Sequence, residues 1–298
     1  MSKLKLNQHF LKMFPALKVF FFLLVWNGVF HGLALSVLLY WSLTSSKVPA
    51  LNRMATLNQF WMENQVLFAA LASLAGSLFF KNQMVGLVQQ FRSHRAMVLQ
   101  TLLYQTLRGM ICPLLVILCL IFSHRYEFLG FSVQLNLNFL TSYSWILRAI
   151  LLLVLVASNE FLVKAVLYAA FPSDLPKTLR FFFQTVAQIS IYAIWFDPSV
   201  LECVTLFLLL NIAAEFWSAT AFVASFFIMT HTVFSLPFFE NDFQGVFQLK
   251  AARPDSFFLE DRYLQATLFI LLIAFRLIPR YSQIIQSRKE NGPHESLT

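Results

Sequence analysis

Charge is scarce in this chain. Only 12% of its 298 residues are Asp, Glu, Lys or Arg, about half the share usual in a soluble domain. A water-soluble globule so poor in charge could not cover its own surface. Cysteine is scarce as well. Cys112, Cys119 and Cys203 all lie in or beside apolar stretches, and none forms a CxxC pair or a Cys/His cluster. That pattern argues against a disulfide framework or a thiolate metal site, and the three are read as small hydrophobes. There is no N-x-S/T sequon, no G-x-S-x-G, HExxH or Walker motif, and no His-rich cluster of the kind found in membrane desaturases. No catalytic residue, metal or cofactor is therefore assigned, and nothing in the sequence supports an enzyme.

Apolar residues dominate instead. They make up 58% of the chain, and Phe alone occurs 35 times. Lipid or tight helix packing must absorb that area. The net charge of +8 is read as basic residues flanking membrane spans, not as nucleic-acid contact, since no DNA- or RNA-binding motif accompanies it. The partners expected are the bilayer and either a second copy of the chain or partner membrane helices.

A spanning helix needs about 20 mostly apolar residues. The first candidate lies between Lys18 and Lys47, and the second runs from Val66 to Phe80. The third ends at Phe122, with Pro113 expected to kink it. Residues 128–143 are apolar but interleaved with Gln134, Asn136 and Asn138, and read as a re-entrant, interfacial or polar segment. Trp145–Phe171 and Phe181–Phe196 follow, separated by Pro172, Asp174 and Pro176. The stretch from Cys203 to Phe239 is too long for one ordinary helix and barely long enough for two. A polar loop from Glu240 to Arg262 precedes a last span from Tyr263 to about Ile278. The expected fold is all-α: a polytopic helical bundle of about seven spans, with six to eight possible. Residues 1–17 form a basic cytosolic segment, 18–279 a single transmembrane domain, and 280–298 a polar, disordered tail.

Positive residues mark the cytoplasmic side. Lys3, Lys5, Lys12 and Lys18 precede any acid, so the N-terminus is expected inside. The stretch from Lys81 to Arg108 is also inside, with two spans between. One long helix over 203–239 gives seven spans and an outside C-terminus. A hairpin there gives eight spans and an inside C-terminus. The hairpin requires two unusually short spans, which favours seven. Which membrane holds the chain is not readable.

Ionisable groups inside a span cost about 2.5–3.5 kcal/mol on insertion scales, and those retained usually line a pathway or pair with one another. Arg148, Glu160, Lys164 and Glu215 are the candidates, with Asn211 one turn before Glu215. Glu160 and Lys164 are four apart and share a helix face. Two readings stand for that helix: a polar sector lining an aqueous groove, or a helix overrunning the bilayer with both charges among the headgroups. Glu215 reads as a coupling or ligand-contact carboxylate, or as a structural partner of Arg148. In the first span Asn27 and His31 are one turn apart. Gly28 and Gly32 form a GxxxG spacing that allows close helix approach. Gln184 and Gln188 repeat the one-turn polar spacing, and these residues read as helix-packing or ligand-contact groups.

Two resemblances can be placed on the chain. An inside N-terminus with about seven spans is similar to the layout of insect gustatory and odorant receptors, although RYLQATLFILLIAFRLIP lacks their closing Thr-Tyr and Gln-Phe pattern. The segment FFFQTVAQISIYAIW at 181–195 resembles the Glu-Thr-x-Pro-Gln helix of XK-related scramblases, with Gln184 in place of the Glu and Ala187 in place of the Pro. Each covers a layout or one short segment, and no site residue is carried over from either.

The intramembrane polar set has no evident enzymatic purpose. It favours a transport or permeation protein with a polar intramembrane cavity. The alternatives are a seven-span chemoreceptor-like protein and a non-catalytic membrane assembly or trafficking factor.

Overall fold

The computed structural model describes residues 2–44, 53–131, 139–196, 198–211, 216–234, 246–251 and 267–270. Nearly all of these are helical. Helix α1 (Ser2–Thr44) and α2 (Arg53–Leu78) are followed by α3 (Lys81–Ser93) and α4 (Arg95–Phe122). A strand, β1 (Tyr126–Phe131), precedes α5 (Phe139–Glu160). That helix runs on through a π-helical turn, Phe161–Leu167, into the short α6 (Tyr168–Ala170). Then come α7 (Lys177–Phe196), α8 (Val200–Asn211) and α9 (Phe216–Ile228), the last extended by a second π turn, Met229–Val233. Strand β2 (Phe247–Ala251) pairs antiparallel with β1.

Among the described residues, four helices are long and apolar enough to cross a bilayer: Met13–Tyr40, Arg95–Phe122, Trp145–Ala170 and Phe216–Val233. Helices α2 and α3 together would make a fifth, but they are bent by 92° at their junction. The bend follows from composition. Met84, Leu87 and Phe91 of α3 recur at helical spacing and are half-buried, while Lys81, Gln83, Gln89 and Arg92 are exposed. Such a helix lies along a surface rather than through a core.

Contacts between named residues give the helix directions. Phe22 meets Phe79 and Phe80 while His31 meets Trp61, so α1 and α2 run antiparallel. Gln184 meets Val163 and Gln188 meets Glu160, so α5 and α7 do the same. Lys164 reaches Leu210 near the end of α8, and the Phe91 ring of α3 packs at a tilt against Trp217 at the start of α9. One end of the bundle therefore gathers α3, the π turn of α5, the start of α7, the end of α8 and the start of α9. Lys18, Lys81, Arg92, Arg95, Lys177 and Arg180 all belong to this end, called the α3 end below. The two strands close the opposite end.

Two expectations are corrected. The fold is not purely helical: Phe128 and its neighbours form β1, which pairs with a strand inside the stretch read as a polar loop. Over 203–239 the described residues form two helices, α8 and α9, whose near ends both lie beside the π turn of α5. Pro113 lies buried inside α4. The expected break after residue 171 is present as a turn before α7.

Local chemistry sets the remaining boundaries. Ser199 and Glu202 form a reciprocal capping box at the start of α8. The Ser199 N–H donates to the carboxylate at 2.7 Å, and the Glu202 N–H donates to the hydroxyl at 3.4 Å. This explains why Glu202 is buried. Helix α4 ends in a Schellman arrangement: the Arg125 N–H donates to Leu120 O and the His124 N–H to Ile121 O, both at 3.0 Å. His124 takes the left-handed position with φ 54°.

Close helix approach is built on glycines other than the expected pair. A methyl group at Gly28 or Gly32 would meet no atom of the described residues within 4 Å, so that face of α1 turns away from the described helices. A methyl group at Gly109 would run into the Phe222 carbonyl and the Ser225 hydroxyl. Gly109 is where α4 and α9 touch. Gly76 plays a lesser version of this role under the Trp26 indole.

Candidate functional site in the bundle interior

Helices packed in lipid must satisfy every buried polar group among themselves. Here the polar side chains of α1, α2, α5 and α7 converge in the interior. At its centre, Glu160 is 0% exposed and the Lys164 side chain 3% exposed, with Nζ and Oε2 3.2 Å apart. Both side chains are thus enclosed by protein. Gln188 of α7 donates its amide to the other carboxylate oxygen, Glu160 Oε1. Lys164 Nζ also donates to the Leu210 carbonyl at 3.4 Å. Both charges are thus compensated, as a buried pair requires.

The turn that carries Lys164 is π-helical. A π turn inserts an extra residue and leaves carbonyls without their usual helical partners. One of these is collected from outside: Gln184 Nε2 donates to Val163 O at 3.2 Å. The two glutamines at one-turn spacing on α7 therefore have separate tasks. Gln184 satisfies the widened backbone, and Gln188 satisfies the carboxylate.

The network continues toward the α1–α2 side. Ser73 Oγ donates to Asn159 Oδ1 at 2.9 Å, and Ser77 Oγ donates to Ser73 O at 2.8 Å. The buried Tyr192 lies within electrostatic reach of both Glu160 and Asn159. Asn159 Nδ2 and the Tyr192 hydroxyl face each other beside the ion pair, and neither has another hydrogen-bond partner among the described residues.

Nearer the strand end, Asn27 Oδ1 accepts from the Trp195 indole at 2.8 Å, while its Nδ2 donates to Leu23 O at 2.9 Å. Gln65 donates to the Trp195 carbonyl. The His31 ring stacks on Trp61 and Trp195, with centroids 4.9 and 5.3 Å apart. Asn27 and His31 thus meet α7 and α2 through Trp195 and Trp61.

Toward the α3 end, the site opens into a groove of about 620 Å³. Lys164, Tyr168, Lys177, Gln184 and Gln90 give it polar walls, and Leu87, Phe181, Phe216 and Trp217 give it apolar ones. Two lysines and no acid occur among its described lining residues. Arg180 stands close by, its guanidinium 5.0 Å over the Tyr168 ring and held by the Leu175 carbonyl at 3.1 Å.

Of the residues expected from sequence, Glu160, Lys164, Gln184 and Gln188 are brought together, and Asn27 and His31 join the same interior further along. Arg148 is buried at 8% exposure, but twelve residues before Glu160 on a helix is roughly 18 Å. It stands apart from the pair. Gly28 and Gly32 face outward. Glu215 lies outside the described residues, as does the side chain of Asn211. Ser73, Asn159, Tyr192, Gln65 and Trp195 were not anticipated. Asn159 beside Glu160 was the available signal, since two adjacent polar residues in an apolar run cover a wide helical sector. No family model matches the chain, and no curated protein or solved structure matches it.

Proposed function

We propose that this chain is a multi-pass integral membrane protein that passes a small polar or charged solute through its bundle, by way of the groove at the α3 end and the Glu160–Lys164 network. One observation carries the reading: a charged pair in the interior lies directly behind a groove that its own lysine lines. A pair kept solely for packing has no need of an opening, and apolar residues of similar volume are often as stable. The π turn supports the same reading, since such turns gather at functional sites. The Asn159 and Tyr192 side chains beside the carboxylate would supply exchangeable hydrogen bonds to a moving solute.

The basic residues at the α3 end make it the cytoplasmic side. From there the helices alternate in direction: α1, α4, α7 and α9 rise, while α2, α5 and α8 descend. This favours the hairpin for residues 203–239, with α8 as a short crossing, over the single-helix version with seven spans. The last apolar stretch then returns the C-terminus to the cytoplasmic side.

The test is flux in proteoliposomes under imposed K⁺, Na⁺, Cl⁻ or pH gradients, read with potential- and pH-sensitive dyes. Flux above that of protein-free vesicles is expected for at least one gradient. It should fall about tenfold or more in Glu160→Gln/Lys164→Met, which removes both charges together. Flux no greater than in empty vesicles, or unchanged in that variant, would remove this reading. The His31–Trp61–Trp195 stack favours a second one, a receptor holding a flat ligand among aromatic rings. It predicts ligand-dependent quenching of tryptophan fluorescence that Trp61→Leu abolishes, without any flux.

A further inference from the structure

The groove at the α3 end has a chemistry of its own. Lys164 stands at its floor and Lys177 at its rim, and Thr178 and Gln184 extend the polar wall. Lys177 and Thr178 begin a helix of 20 residues, so the positive end of the α7 dipole faces the same space. The Trp217 indole N–H is buried and has no hydrogen-bond partner among the described residues. Trp217 lines the groove, held by edge contact with Phe216 and by Phe91 of α3. Phe181, Phe216 and Leu87 provide the apolar side. The walls therefore offer the Lys177 ammonium, a Lys164 ammonium already shared with Glu160 and the Leu210 carbonyl, a donor without an acceptor and an aromatic slot. No carboxylate occurs among the described lining residues, Glu160 lying behind Lys164.

The position of the groove decides what can fill it. Helix α3 turns 92° from α2, so with α2 across the bilayer α3 lies along its surface. The groove is walled by Leu87 and Gln90 of that surface helix. It therefore sits at the depth where phosphate groups meet acyl chains. Basic residues at this depth attract anionic lipids. The exposed Lys81 and Arg92 of α3 raise the local concentration of such lipids but do not line the groove.

We infer that this groove is a specific site for one anionic phospholipid: its phosphate sits between Lys177, Lys164 and the Trp217 N–H, and the start of an acyl chain lies against Phe181 and Phe216. The inference rests on membrane insertion and not on transport. A protein without flux can still hold the lipid, and a protein without the lipid can still be tested for flux.

The experiment is native mass spectrometry of the full chain released from detergent micelles. The micelles carry phosphatidylglycerol or phosphatidylcholine with identical acyl chains. The wild type is expected to retain one phosphatidylglycerol at least tenfold more strongly than phosphatidylcholine. Lys177→Gln/Trp217→Phe should reduce that preference to under threefold, and Lys177→Gln alone should reduce it partway. Lys177 is exposed and Trp→Phe is conservative, so both variants should unfold within a few degrees of the wild type. If the double variant does not fold, Lys177→Gln alone decides. Lys81→Gln/Arg92→Gln should leave the preference intact. Equal retention of the two lipids overturns the inference, as does a preference that Lys177→Gln leaves undiminished. Loss of the preference through Lys81→Gln/Arg92→Gln overturns it too, since the attraction would then be diffuse. Octyl phosphate supplies the same head without the lipid body. If it displaces phosphatidylglycerol at equal concentration, a soluble anion and not a lipid is the ligand, and the inference fails.

Discussion

Lys164 Nζ and Glu160 Oε2 lie 3.2 Å apart across a helical turn that changes pitch between them. Glu160 ends the α-helical part of α5, and Lys164 belongs to the π turn that follows. Four residues apart, the two would pair on an ordinary helix too. What the wider turn adds is an altered backbone, whose Val163 carbonyl is met by Gln184 of α7. The ion pair and the α5–α7 contact therefore depend on one local geometry.

A first prediction follows from breaking that pair. Glu160→Gln leaves a buried ammonium without its counter-charge, and Lys164→Met leaves a buried carboxylate. Each should cost about 3–5 kcal/mol. Glu160→Gln/Lys164→Met should recover most of this, since a neutral amide can still bond to Gln188. Unfolding in detergent, followed by heat or denaturant, measures all three. Strict additivity of the single costs in the double variant would mean that the two groups do not interact.

The glycines give a prediction of opposite signs. Gly109→Ala places a methyl group against backbone atoms of α9, which cannot rotate away, and should destabilise by about 1–3 kcal/mol. Gly28→Ala and Gly32→Ala place theirs in open space on a helix and should stabilise by up to about 1 kcal/mol each through helix propensity. Thermal unfolding of the three single variants side by side is sufficient. A stabilising Gly109→Ala would contradict the α4–α9 contact.

Asn27 and Trp195 give a third. Trp195→Phe removes one donor and leaves Asn27 with its bond to Leu23. Asn27→Leu strands the indole N–H in the interior, and a buried donor without an acceptor costs about 1–3 kcal/mol. Asn27→Leu is therefore expected to be the more damaging change where side-chain volume is held similar. It should also alter the near-ultraviolet circular dichroism of the tryptophans, through the stack of Trp195 on His31 and Trp61. Equal effects of the two substitutions would mean that the Trp195 N–H is satisfied elsewhere.

How much of this could be read from residues alone differs from part to part. The apolar runs locate the long helices, because a helix in lipid needs about 20 apolar residues and little else fits, but α1 and α2 begin well before their runs, at Ser2 and Arg53. The Glu160–Lys164 pair is legible from its spacing. Its burial is not, since spacing says nothing about which residues of α7 and α8 cover it. The GxxxG pattern in α1 misleads for the same reason: small residues permit close approach, and only the neighbouring helix decides whether approach occurs. Gly109, isolated in sequence, is the true contact. β1 hides because its partner lies more than a hundred residues away and its apolar residues fit a span as well as a strand. Glu202 hides because a capping box needs a known helix start before Ser199 and Glu202 can be recognised as its ends.

The side of the C-terminus is the last prediction, and it turns on α8. Twelve residues span roughly 18 Å, short of the hydrocarbon thickness of about 30 Å. A segment that short argued for a single helix over 203–239. Yet Leu210 reaches Lys164 and Trp217 reaches Phe91, so the chain arrives at the α3 end and leaves it again within that stretch. Lys164 donates to the Leu210 carbonyl near the last described residue of α8, a polar contact made inside the bundle where lipid could offer none. With that reversal, a reporter fused at Thr298 should signal from the same compartment as one fused at Met1, and one inserted near residue 253 from the opposite side. Reporters at Met1 and Thr298 on opposite sides would restore the single crossing and, with it, the chemoreceptor-like layout.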